Sequence, residues 1–131
     1  MNMADVIQGA DWKTEKHAPV IEAPEKVKTG ECFSVDLCVG KEIAHPNTTE
    51  HNIRWIKLYF KPENSKFVYE IGSYEFSVHG DSVEGANKGP AYTEPVAKAV
   101  LKLKSSGTLL ATSYCNIHGL WESSKAITVQ D

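Results

Sequence analysis

The sequence has no long apolar run. No uninterrupted hydrophobic stretch among its 131 residues approaches the length of a membrane span. The opening "MNMADVIQGADW" has no basic segment followed by an apolar one, so neither a spanning helix nor a secretory leader is expected. Basic clustering is missing too. Lys and Arg number 14 against 17 Asp and Glu, a formal charge of −3 mixed along the chain, which argues against nucleic acid and against an anionic membrane as partners. Cysteine is scarce and odd in number, and three residues do not build a disulfide framework. A cytoplasmic location is the expectation. Cys32 and Cys38 share one alternating run, about 20 Å apart if it is extended, whereas a bridge needs Cα atoms within about 7 Å. Both read as ordinary reduced thiols. Internal repeats and low-complexity tracts are absent, and no stretch holds a helical period for three turns.

What is present is a series of short β-type runs: "CFSVDLCV", "IRWIKLYF", "KFVYEIGSYEFSV", "PVAKAVLKLK", "TLLATSYC" and "AITVQ". They are rich in Val, Ile, Tyr, Phe and Thr, and several alternate sides with period two. Strands at this spacing in a chain of this length predict one all-β domain over 1–131, an antiparallel immunoglobulin-like sandwich or barrel. Three breaks interrupt the runs. "HGDSVEGANKGPAYTEP", residues 79–95, reads as a long surface loop. "DWKTEKHAPVIEAPEKVKTGE" and "GKEIAHPNTTEHN" read as polar segments, yet they carry histidines, and loops on a rigid β scaffold are where sites are built.

Four of the five histidines stand in or beside such loops: His17, His45, His51 and His118. Cys115 lies three residues before His118, so sulfur and imidazole can turn toward one point while Gly119 lets the chain turn away. Pro46 pushes His45 toward an extended backbone. A closed tetrahedral zinc site takes four ligands, and five candidates exceed that. Four imidazoles and a thiolate suit a metal that accepts five or six, and iron fits this mixed N/S set better than zinc. Blue copper is the nearest rival, but it usually wants an axial methionine downstream, and the only methionines are Met1 and Met3.

The segments "EKHAP", "HPNTTEHNI" and "CNIHGLW" resemble, in order and spacing, the signature segments of superoxide reductases, in particular the one-iron neelaredoxin class. The resemblance runs from about residue 12 to the last strand. It implies one ferrous iron held in a square pyramid, with His17, His45, His51 and His118 equatorial and Cys115 axial, trans to an open position. It implies reduction of superoxide to hydrogen peroxide without release of dioxygen. Lys16 resembles the family's catalytic lysine, which steers the anion and orders the protonating water. Glu15 resembles the glutamate that becomes the sixth ligand once the iron is ferric. A rubredoxin-like electron donor and a homotetramer are also implied. His79 matches no family segment and reads as a loop histidine. The backbone N–H groups of Asn116, Ile117 and Gly119 are expected around the Cys115 sulfur, and Trp12 and Trp121 are expected to pack around the site. Two other readings stand beside this one: a non-catalytic iron electron-transfer module on the same scaffold, and a β-sandwich interaction domain with scattered histidines.

Overall fold

Only one turn of the chain is helical. In the computed structural model, which describes residues 1–131, α1 (Met3–Val6) precedes nine strands. These are β1 (Gln8–Gly9), β2 (Pro19–Glu22), β3 (Lys26–Lys28), β4 (Cys32–Val39), β5 (Ile53–Pro62), β6 (Tyr69–Glu75), β7 (Val96–Lys102), β8 (Gly107–Cys115) and β9 (Gly119–Gln130). One sheet has the order β1-β9-β8-β5-β6, with β3 also on β9, and the other has the order β2-β4-β7. All long pairings are antiparallel, as the alternating runs predict. The short β1 and β3 instead join β9 in parallel. The architecture is all-β and immunoglobulin-like, and no helix is long and apolar enough to cross a membrane.

Period-two alternation decides which residues meet between the sheets. In β4, Phe33, Val35, Leu37 and Val39 point inward, and in β8 Leu109, Ala111, Ser113 and Cys115 do so. All of these but Ser113 join one core cluster of 17 residues drawn from both sheets, together with Ile56, Leu58 and Phe60 of β5. Each fully buried leucine contributes about 1.5–3 kcal/mol by leaving water. The same parity puts Cys115 on the inner face at the very end of β8. A register shift between Ile53 and Trp55 sits one step away, opposite Cys115 and Tyr114. Such bulges re-aim side chains beside functional sites.

The polar break around residues 11–31 is not uniformly loop. It holds β2 and β3, whose buried residues are Pro19, Val20 and Val27. Tertiary pairing with β4 and β9 makes strands of runs too short to show a period.

Candidate metal centre

The β8–β9 hairpin explains why Cys115 and His118 converge. Cys115 pairs with Gly119, leaving a three-residue turn of Asn116, Ile117 and His118. Gly119 has φ +83, the left-handed conformation that three-residue hairpins need after their turn. The turn folds the His118 backbone N–H onto the Cys115 sulfur at 3.4 Å and leaves His118 Nδ1 3.8 Å from it. The sulfur's backbone donor is therefore His118, not Asn116, Ile117 or Gly119. Asn116 is used elsewhere: its N–H donates to Asn52 O at 3.2 Å, its side-chain Oδ1 accepts from the Asn52 N–H at 2.9 Å, and its Nδ2 donates to Glu50 O at 2.8 Å. Asn52, 1% exposed, also donates to Thr48 O at 2.9 Å. This pair ties the hairpin to the segment carrying His45 and His51, a role with no signal in the sequence.

His17 enters from the residues before β2. Ser113 Oγ, on the inner face of β8, donates to its carbonyl at 2.9 Å. Trp121 stacks on its ring at 5.0 Å between centroids, 16° from parallel, and donates its indole N–H to His118 O at 3.2 Å. The Glu15 carboxylate accepts from the His17 Nδ1–H, from the His17 backbone N–H, and from Ala18 N–H at 2.9 Å. Burial pushes the Glu15 carboxyl up, but these hydrogen bonds outweigh it and hold it below the usual carboxylate value. With Nδ1 so engaged, His17 turns Nε2 toward His118 Nδ1, 3.1 Å away. His45 is fixed in the same sense, its Nδ1–H donating to Pro46 O at 2.7 Å.

Ligand atoms of His17, His45, His51 and Cys115 all lie within 4.8 Å of one another. Metal–nitrogen and metal–sulfur bonds are about 2.0–2.3 Å, so donors on opposite sides of one ion stand about 4–4.6 Å apart, and donors at a right angle about 3 Å. The cluster's upper bound of 4.8 Å is close to the first of these. His45 Nε2 and His51 Nε2 are buried with no hydrogen-bond partner, a costly arrangement unless a cation takes the lone pairs. The donor chemistry agrees. Burial lowers His45 from its ordinary 6.5 to about 4, against the pull of the Pro46 carbonyl and helped by the charges of His17, His51 and Lys16. Burial lowers His51 as well, with His118, His17 and Lys16 adding to it. Both imidazoles are thus neutral and able to bind metal at pH 7.

A pH dependence follows for the metal-stripped protein. Between pH 6.5 and about 4 an unfolded chain protonates His45 while the folded chain does not, so stability falls as pH falls through that window. Urea midpoints at pH 7.5 and pH 5 should differ in that direction, and His45→Gln should shrink the difference.

Exposure is graded across the cluster. Cys115 and His17 are buried at 1% and 6%, whereas His118 is exposed and Lys16 half-buried. Sulfur lies on the protein side, and water reaches the His118 and Lys16 side. The Lys16 charge acts on both His45 and His51. Trp121 packs on the site as expected. Trp12 instead lines a groove with Gly9, Leu110 and Glu122, and lies under the Lys13 and Lys41 ammonium groups. His79 is 2% exposed, more deeply placed than a loop reading implies.

The desulfoferrodoxin family profile matches residues 9–124. A neelaredoxin of Megalodesulfovibrio gigas is 57% identical over 130 residues, covering 99% of this chain and 100% of that protein. A superoxide reductase of Pyrococcus furiosus is 56% identical over 121 residues, covering 92% and 95%. A crystal structure from Thermotoga maritima, at 60% identity, superposes with a TM-score of 0.97 over 100% of this chain and 99% of the other. Histidines and cysteine gathered at one end of a β-sandwich, and relatives alike over nearly their whole length, place the chain in the desulfoferrodoxin family, among its superoxide reductases of the neelaredoxin type.

Proposed function

We propose that this chain, acting over 1–131 as one domain, reduces superoxide to hydrogen peroxide at a single iron held by His17, His45, His51, Cys115 and His118. The observation that carries the reading is the convergence of buried, unpartnered imidazole nitrogens and a thiol on one point whose other side meets water. Iron bound there supplies one electron to the anion O₂⁻, which with two protons becomes H₂O₂.

The chain's own residues bring and hold the reactants. Net charge is −3 and repels an anion, but charges beyond about 8–10 Å are largely screened in cellular salt. Lys16 is local. A cation about 4 Å from the incoming anion is worth roughly 1–4 kcal/mol, so Lys16 draws superoxide to the wet side and orders the water that supplies protons. Glu15 orients His17 through Nδ1, and it is the carboxylate that would join the ligands of a ferric ion, giving up those hydrogen bonds. The electron is replaced by a small rubredoxin-like carrier docking where Ile117 and His118 are exposed. The working form is a cytoplasmic homotetramer.

Rapid mixing of the ferrous protein with superoxide tests the reading. A fast second-order reaction is expected, and Lys16→Ala should slow it about tenfold at low ionic strength while flattening its salt dependence. A protein that binds iron yet reacts slowly with superoxide would be a saturated electron carrier, and the proposal would fail.

A further inference from the structure

We propose that His79 is a positioning residue for the metal centre, protonated on both ring nitrogens and clamping the segment that carries His45 and His51. The proposal rests on the metal-centre reading above and concerns a side chain outside the ligand set.

His79 Nδ1 lies 2.7 Å from Asn47 Oδ1, and Nε2 lies 2.7 Å from Phe76 O. The Asn47 amide is oriented by its other end, where Nδ2 donates to Thr93 O at 2.9 Å and Glu94 Oε1 at 3.4 Å. Turning the amide over would set its oxygen against a carbonyl and a carboxylate. Oδ1 therefore faces the imidazole, and it can only accept. Phe76 O can only accept as well. Each ring nitrogen must then donate, which makes the ring an imidazolium. The surrounding carboxylates are consistent with that charge: Asp81 accepts from the His79 backbone N–H at 2.8 Å, and Glu94 shares Asn47. Farther out are Glu50, bound by Asn87, and the exposed Arg54 and Glu75 beside Phe76.

A second clamp uses the backbone of the same residue. Thr49 Oγ1 donates to His79 O at 2.7 Å. Asn47 and Thr49 both lie between the ligands His45 and His51, so one buried residue grips that segment at two points. His79 is itself held in place, because the chain after it folds back through the His79–Tyr92 bridge and the Thr93 N–H to Val78 O bond of 2.8 Å. A ligand segment released from this grip keeps its imidazoles but samples more arrangements, and it should release iron faster.

Three measurements test this on the iron-loaded protein. Neutron diffraction from deuterated crystals should place a deuteron on both ring nitrogens of His79. The first-order loss of ferrous iron to excess bipyridine should be about tenfold faster for Asn47→Ala and for His79→Gln than for wild type. The double variant should be about as fast as either single one, since both cut the same tether. A bare ring nitrogen, wild-type iron loss in Asn47→Ala, or a double variant showing the product of two independent effects would each overturn the proposal. Should His79→Gln fail to fold, the neutron result and Asn47→Ala decide the matter. Wild-type protein unable to take up iron would instead refute the metal-centre reading itself.

Discussion

Cys115→Ser is expected to leave the oxidised, iron-loaded protein without the thiolate-to-ferric absorption that a Cys115–iron bond would give, and to weaken iron retention about tenfold or more. Serine is nearly isosteric, and its hydroxyl can still accept the His118 N–H that the sulfur accepts at 3.4 Å. The hairpin should therefore survive, since Gly119 and the β8–β9 ladder are untouched. What is lost is an ionisable soft donor. A thiol ionises near pH 8.5, and lower beside a metal, whereas an alcohol stays protonated. Circular dichroism should match wild type, iron per chain after gel filtration should drop, and visible absorption on oxidation should be featureless. A retained visible band would show that the colour, and the axial donor, lie elsewhere.

Gly40→Ala should damage the centre without replacing any of its proposed donors. Gly40 has φ +86, and a Cβ placed on it would meet His45 N at 2.6 Å and His45 Cβ at 3.3 Å. The obstruction is backbone, so the His45 segment must shift. Left-handed strain of about 1–2 kcal/mol and overpacking of about 1–3 kcal/mol should together lower stability by about 2–5 kcal/mol in urea unfolding. Iron loss to a chelator should accelerate in parallel. Gly119→Ala is the matched control. Its φ of +83 is nearly the same, but no atom lies within 4 Å of the added carbon, so only the strain should appear, about 1–2 kcal/mol. Equal effects from the two substitutions would remove Gly40 from the support of His45.

Strands with long alternating runs are the ones legible in the sequence, although β9, at twelve residues the longest, shows such a run only over 126–130. β4 carries four inward residues in strict alternation, so its face could be read with no partner in view. β2 and β3 have four and three residues and owe their existence to β4 and β9, which no local pattern reports. The centre was legible for a similar reason. Cys115 and His118 are set by one hairpin, and the histidines before them stand in segments with a recognisable order. The supports were not legible. Asn52, Ser113 and His79 act through partners 30 to 96 residues away, and a glycine-rich stretch gives no hint that its one histidine is buried. The sulfur's donor was misplaced by a residue or two because carrying the His118 N–H onto Sγ depends on turn geometry, not composition.

The five proposed donor residues come from three stretches of chain separated by tens of residues, the first at position 17 and the last at 118. Metal held among them fastens the start of the polypeptide to its final hairpin, as a cross-link would. Before position 17 the only backbone pairing to β9 is the two-residue β1, with Trp12 packed beside it. With the metal gone, protease cleavage should begin in the first 16 residues, while the sheet β2-β4-β7 and the core beneath it stay resistant.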